Sequence, residues 1–227
     1  SGTAPMTDII QVRADGWLDS IELAHSSNLR SRFELDYSPA QDPSQGLKFV
    51  VETQHFFNCA LWAEEDRARS KVLGDAHLAQ VKRQIDSLNQ RRNDWIEVID
   101  RYFAEQLEQL SPPIRDGGRL NSETVGSIVD RLSILTLRRF ALEQLIQQPI
   151  ARQAVPESRA RLELCVQQHQ MLTTCLRELL LDLLQGARVH YSFRTMKLYN
   201  DERFNPHVGT GTEAQVGQPL VSTRTNP

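Results

Sequence analysis

The sequence predicts an all-α protein, an antiparallel bundle of four to five long helices with an extended C-terminal tail. Three observations support this fold class. Apolar residues recur at the 3.6-residue period of a helix through most of the chain. Proline, glycine and capping residues separate the periodic stretches. No stretch of useful length shows the period-two alternation that is typical of a strand. The predicted helices span 15–35, 47–73, 76–109, 123–148 and 157–185.

The first two predicted helices are separated by a proline-rich connection, YSPAQDPSQG. Proline ends a helix because it lacks an amide donor and its ring crowds the preceding turn. After the second helix, Gly74 followed by Asp75 is the expected pair of a glycine that ends one helix and an acid that caps the next.

The fourth predicted helix follows the long third helix and the loop RDGGRLN, and Asn121 or Ser122 is expected to cap it. Between residues 125 and 142 it is apolar almost all round, which predicts the central helix of the bundle. The fifth predicted helix ends at Gly186. Its stripe LRELLLDLL forms either core or a dimer seam.

One domain is expected, at 15–206, between a flexible N-terminus at 1–14 and a flexible tail at 207–227. A chain of 227 residues is long enough to bury a substantial core. The net charge of -3 gives no global attraction to nucleic acid. No apolar run approaches the roughly 20 residues that span a bilayer, so no membrane partner is expected. Three cysteines without paired spacing predict reduced thiols and a cytoplasmic protein.

The second helix carries polar side chains on one arc of roughly 100°. On the third helix a second polar strip flanks the apolar face, into which Arg92 projects. Asp130 of the fourth helix lies on an apolar strip, where a carboxylate needs a partner such as Arg92, Lys82 or Arg69. The pattern predicts a buried charge network shared by three helices. The polar residues of the second and third helices are His55, Asn58, Trp62, Glu65, Asp66, Arg69, Lys82, Asp86, Asn89, Asn93 and Asp100.

Such a network has two interpretations, and the sequence leaves both open. It either lines a pocket for a small polar or anionic ligand, which we favour, or only fixes helix register in a non-enzymatic interaction protein such as a homodimer. In the first case the candidate catalytic residues are Glu65, Asp66, Asp86, Asp130 and His55. The candidate ligand-binding residues are Asn58, Trp62, Arg69, Lys82, Asn89, Arg92 and Asn93, with Tyr199, Asn200 and Asp201 in a segment that would close over the pocket.

Two Glu-x-x-His pairs, Glu22…His25 and Glu52…His55, have the spacing used by di-iron carboxylate bundles. The further glutamates that such a site needs come in the wrong order along the chain, and Glu52 lies about 60° from the His55 face. We therefore predict no metal site. No nucleotide-binding loop or nucleophile motif occurs, and no cofactor is expected.

Four ordered blocks, LWAEEDRAR, VKRQIDSLNQRRND, NSETVGSIVDRLSIL and KLYNDERFNP, resemble the signature blocks of a bacterial family known as domain of unknown function 4254. The resemblance covers roughly residues 50 to 206, with departures at Ala63 and Glu202. It implies a bacterial protein linked to genes of cell-envelope polysaccharide metabolism, but no activity. Besides the polar residues already listed, the family pattern maps onto Asn121, Ser122, Glu123, Thr124, Asp130, Arg131, Ser133, Tyr199, Asn200, Asp201, Asn205 and Pro206.

Overall fold

Five α-helices make up the fold in a computed structural model of the chain. The helices are α1 (Met6–Ser26), α2 (Leu47–Ala68), α3 (Asp75–Leu110), α4 (Val125–Gln147) and α5 (Val155–Leu184). The structure describes residues 6–27, 29, 46–70, 74–110, 118–148, 155–193 and 203. Within these ranges there is no strand, and one isolated bridge joins Arg119 to Arg188. The all-α helical bundle predicted from the sequence is confirmed.

Helix α4 is the central helix, because it contacts each of the other four. Its neighbours α3 and α5 precede and follow it in the chain, and α2 and α1 pack on it as well. The near-complete apolar surface of this helix is explained by that position. None of the five described helices is apolar enough over a sufficient length to span a bilayer.

Most of the core lies toward one end of the bundle. It combines the middle and end of α1, the first turns of α2 and α4, and the last turns of α3 and α5. A smaller apolar cluster of Phe57, Leu61 and Leu88 joins α2 to α3 further along. The α5 stripe belongs to the main core, since Leu176 and Leu180 are fully buried. Burying a leucine stabilises a fold by about 1.5–3 kcal/mol, so the stripe is core and not a dimer seam.

Several helix ends differ from the sequence prediction. Helix α1 begins at Met6 rather than 15 and ends at Ser26 rather than 35. The hydroxyl of Ser26 donates to the carbonyl of Glu22 at 2.8 Å, one turn back, where the helix ends. Helix α2 ends at Ala68, and the carbonyl of Gly74 accepts from the first turn of α3. Gly74 therefore belongs to the start of α3 and does not cap α2.

Helix α4 is capped by Thr124 and not by Asn121 or Ser122. The Thr124 hydroxyl accepts from the Ser127 amide at 3.0 Å. The C-terminus of α5 agrees with the prediction. Gly186 adopts φ 68°, and the Ala187 amide donates to the Asp182 carbonyl at 2.8 Å, the bond pattern of a glycine-terminated helix.

The chain divides into two units, 1–193 and 194–227, and all five helices belong to the first. The predicted domain limits at 14 and 206 remain predictions. The proposed closing segment and the tail at 207–227 lie outside the described residues, apart from Arg203.

Candidate functional site

A buried carboxylate, Asp130, is the centre of a polar cluster between α2, α3 and α4. Its side chain is 10% exposed. Oδ1 accepts from Gln54 Nε2 at 2.6 Å and from Asn58 Nδ2 at 2.9 Å, and Arg92 Nε lies 3.8 Å away. An isolated buried carboxylate is costly. Two amide donors and one nearby cation compensate for the lost hydration of Asp130.

The cluster continues from Asn58 to a buried serine–histidine pair. Asn58 Nδ2 also donates to Ser133 Oγ at 2.8 Å, and Ser133 Oγ lies 2.7 Å from His55 Nδ1. Because the amide nitrogen can only donate, the Ser133 hydroxyl accepts from it and can direct its own proton to Nδ1. Neutral His55 then carries its proton on Nε2.

Helical spacing explains how these side chains meet. On α2, Asn58 lies four residues after Gln54 and three after His55. On α4, Ser133 lies three residues after Asp130. Each set therefore shares a face of its helix. Along α2 the cluster follows the first turns, which enter the main core, and lies beside Phe57 and Leu61 of the smaller apolar cluster. We call this set the Asp130 cluster: Gln54, His55, Asn58, Arg92, Asp130 and Ser133.

A cavity of about 300 Å³ adjoins the Asp130 cluster, and we call it the central cavity. Asn58 and Arg92 belong to both, so the cavity reaches the cluster through these two side chains. Residues of α2, α3 and α4 line it, and its apolar wall is formed by Leu61, Ile134 and Leu137. The remaining lining residues are polar or aromatic: Trp62, Glu65, Asp66, Arg69, Asn89 and Arg138.

The charges of the cavity are unevenly balanced. Arg69 pairs with Glu65 at 3.2 Å and with Asp66 at 3.9 Å, and all three side chains are well exposed. Exposed pairs of this kind stabilise a fold little. Arg92 shares Asp130 with two amides, and its buried Nε has no hydrogen-bond partner among the described residues. Arg138 makes no ion pair within the described part of the chain. The cavity can therefore accept negative charge.

The structure brings together many of the predicted site residues, but not all. Lys82 and Asp86 are exposed and do not line the cavity. Asn93 lies beside the cavity, where its Oδ1 accepts from Arg92 at 3.4 Å. His55 is fully buried behind Asn58, so it is not part of the lining. Tyr199, Asn200 and Asp201 lie outside the described residues.

The predicted charge network is smaller than expected. Neither Lys82 nor Arg69 reaches Asp130, whose partners are Arg92 and two neutral amides. Sequence reasoning missed Gln54, which is fully buried. Its position one turn before Asn58 was the available signal. It also missed Arg138, which lies two turns after Asp130 on α4.

Asp100, predicted on the polar strip of α3, does not belong to the Asp130 cluster or line the central cavity. It is 2% exposed, and its carboxylate accepts from the Gly126 amide at 2.7 Å, at the start of α4. Burial raises the pKa of Asp100, and hydrogen bonds from Thr124 and Gly126 oppose that shift. A Cβ on Gly126 would lie 2.5 Å from the Ile96 carbonyl oxygen. Asp100 therefore joins the start of α4 closely to α3.

The two Glu-x-x-His pairs place their histidines side by side. The rings of His25 and His55 have centroids 5.1 Å apart. Glu52 instead accepts from Ser27 at 3.0 Å and pairs with Lys48 at 3.3 Å. Over the described ranges, no group of three or more histidine, cysteine, aspartate or glutamate side chains is placed to hold a metal.

The fold and site define an all-α bundle with a polar cavity at its helix interfaces. The chain belongs to the family described as Protein of unknown function (DUF4254), whose model matches residues 48–191. The match covers more than half of the chain, including every residue of the Asp130 cluster and of the central cavity. The match ends before KLYNDERFNP, the fourth of the sequence blocks that resemble the family. No curated protein and no solved structure matched the chain.

Proposed function

We propose that the central cavity binds a small polar ligand that carries an anionic group. The observation that supports this proposal is the position of Arg92. Its guanidinium lines the cavity, its Nε is buried without a hydrogen-bond partner among the described residues, and Asp130 is 3.8 Å away. At that distance the carboxylate offsets charge but accepts no hydrogen bond. The planar donors of arginine match phosphate and carboxylate groups.

The other lining residues favour a ligand with a sugar-like body. Trp62 offers an aromatic face, and Asn58, Asn89 and Glu65 offer amide and carboxylate groups for hydroxyl hydrogen bonds. A phosphorylated or carboxylated sugar would combine these features with the arginines. Such a ligand agrees with the link to cell-envelope polysaccharide metabolism that the family resemblance implies. We also propose that the protein works in the cytoplasm, in line with its three free cysteines.

If the ligand reacts in the cavity, Glu65 and Asp66 are the acid–base candidates that line it. Asp130 would act as a positioning residue, because it reaches the cavity through Arg92 and Asn58. His55 would support Asn58 through Ser133 and would not touch the ligand. Glu65 is therefore the first residue to test for a role beyond binding.

Thermal denaturation with glucose 1-phosphate, inorganic phosphate and glucose tests the proposal. A ligand at about 100 times its Kd stabilises the folded state by about 2.7 kcal/mol, which raises the Tm of a domain of this size by roughly 5–10 °C. We expect a shift with glucose 1-phosphate and little with glucose. The shift should shrink in Arg92→Met and Glu65→Gln and persist in the control Lys82→Met, whose side chain is exposed outside the cavity. Equal shifts in all four proteins would refute the proposal.

A second candidate is a purely structural role in an interaction protein. The hydrogen bonds from Gln54 and Asn58 to Asp130 fix the register of α2 against α4, a known use of buried polar groups. A homodimer would then need a surface other than the α5 stripe, which is buried in the core. In this case Arg92→Met lowers the free energy of unfolding, and none of the three probes shifts the Tm of the wild type.

A further inference from the structure

A second, larger concavity lies between α4 and α5 on the other side of Arg138. Its volume is about 520 Å³, within the range of small-molecule sites. We call it the α4–α5 groove. Its lining is mostly apolar, with Ile128, Ile134, Leu135, Met171 and Leu172. Met171 is 68% exposed, so the side chain of this apolar lining residue faces solvent, whereas Ile128 and Leu135 are buried beneath the groove.

Two arginines of α4 line this groove, and they differ in whether an acidic side chain pairs with them. Arg131 pairs with Glu123, with Nη1 2.5 Å from Oε1, so its charge is balanced. Arg138 is exposed and makes no ion pair among the described residues. The two arginines are seven residues apart, so about 10 Å of α4 separates them along the helix axis. Ile134 and Leu135 lie on α4 between them.

We propose that the α4–α5 groove binds a small amphiphile, an apolar chain with a phosphate or carboxylate head. The head would pair with Arg138, and the chain would cover the apolar floor and Met171. Charge complementarity and volume favour this ligand over a helix of another protein. A stable protein interface buries about 800 Å² on each partner, which is more surface than a groove of this size offers. The groove shares Ile134 and Arg138 with the central cavity, but the proposal requires no ligand in that cavity.

The alkylation rate of Cys175 can report whether the groove is occupied. It lines the groove and is exposed, whereas Cys59 and Cys165 are buried. Burial also raises the pKa of the Cys165 thiol, which further lowers its reactivity. Iodoacetamide, a neutral reagent, should therefore alkylate Cys175 first. The thiolate sulfur attacks the carbon, iodide leaves, and a bound ligand blocks that approach.

The experiment measures the alkylation rate of Cys175 in the full chain by intact mass, with decyl phosphate or decanoate added below their micelle concentrations. At about four times the Kd, mass action predicts a rate roughly five-fold lower. Decyl maltoside, which has a neutral head, and inorganic phosphate, which has no chain, should each protect much less. The decyl phosphate and decanoate arms show which head is preferred, and protection by either one supports the proposal.

Matched variants separate this site from its surroundings. Arg138→Met should abolish most of the protection, while Arg139→Met, next to it on α4 and outside the groove lining, should retain it. Arg92→Met should also retain it, so a failure of the central-cavity proposal would not be mistaken for a failure here. Equal protection by decyl maltoside, unchanged protection in Arg138→Met, or no protection by either anionic amphiphile would overturn the proposal.

Discussion

Arg92 of α3 and Asp130 of α4 lie with Nε 3.8 Å from Oδ1, where the Asp130 cluster meets the central cavity. The same carboxylate oxygen accepts hydrogen bonds from the Gln54 and Asn58 amides of α2. At this distance Arg92 offsets the charge of Asp130, while its Nε makes no hydrogen bond to the carboxylate. The same pair therefore stabilises the bundle and leaves a guanidinium facing the cavity.

Removal of the central carboxylate should destabilise the fold strongly. Asp130→Ala leaves the Gln54 amide without its acceptor and Arg92 without its carboxylate, and loss of one partner of a buried pair costs about 3 kcal/mol or more. The free energy of unfolding from urea melts measures this. Asp86→Ala, which removes an exposed carboxylate, is the control and should change it by less than about 0.5 kcal/mol. Similar losses in both variants would contradict the role given to Asp130.

Alanine should have opposite effects on stability at two glycines, because Gly126 lies where α3 and α4 approach closely and Gly16 has open space beside it. A Cβ at Gly126 would lie 2.5 Å from the Ile96 carbonyl oxygen, so Gly126→Ala should lower the free energy of unfolding by about 1–3 kcal/mol through overpacking. Gly16 of α1 has nothing within 4 Å of the Cβ position. Gly16→Ala should therefore raise stability by about 0.5–1 kcal/mol. Thermal and urea melts of the two variants provide the comparison, and a neutral Gly126→Ala would exclude the tight contact.

Asp100 should make stability depend on pH in a defined direction. Burial raises its pKa above the ordinary value of 3.8, so the folded state binds the proton more tightly than the unfolded state. Its contribution to stability is full below that ordinary value and is lost as pH rises through the raised pKa. Asn cannot ionise, yet it keeps an acceptor for the Gly126 amide. The stability of Asp100→Asn relative to wild type should therefore increase from about pH 4 to pH 7.

Urea melts at a series of pH values test this slope. The control is Asp94→Asn, an exposed carboxylate on the same helix, and it should show a smaller change with pH. A stability difference between Asp100→Asn and wild type that stays constant over the range would show that the folded-state pKa of Asp100 is not raised.

The helices and the centrality of α4 could be predicted because they depend on local periodicity and on the width of an apolar surface. The limits of α1 were predicted wrongly: the helix runs from Met6 to Ser26. Its first turns were left out of the prediction, and their side chains Met6, Ile9 and Val12 are exposed rather than packed in the core. The capping residue of α4 was misplaced because Asn121 and Thr124 are both good caps. Thr124 alone has its hydroxyl within reach of the Ser127 amide.

The site could be predicted only in outline. The polar arc of α2 identified Asn58, Trp62 and Glu65, because helical period alone decides which of its residues share a face. The partners of Asp130 could not be read in the same way. Gln54 is 76 residues away from Asp130 in sequence, and its neutral amide carries no charge to mark it as a partner. Of the three cations expected to pair with Asp130, Arg92 lies within ion-pair distance. The two amides that also donate to this carboxylate were not expected.

Titration calorimetry with glucose 1-phosphate tests the central claim most directly, because it measures whether Arg92 binds an anion. We expect the wild type and Lys82→Met to bind with the same Kd. Arg92→Met should weaken binding by about 10-fold or more, since a hydrogen bond to a charged group contributes about 1.5–3 kcal/mol. Circular dichroism would confirm that each variant is folded. We therefore expect weaker binding in Arg92→Met alone, and an unchanged Kd in this variant would contradict the role of Arg92 in binding the anion.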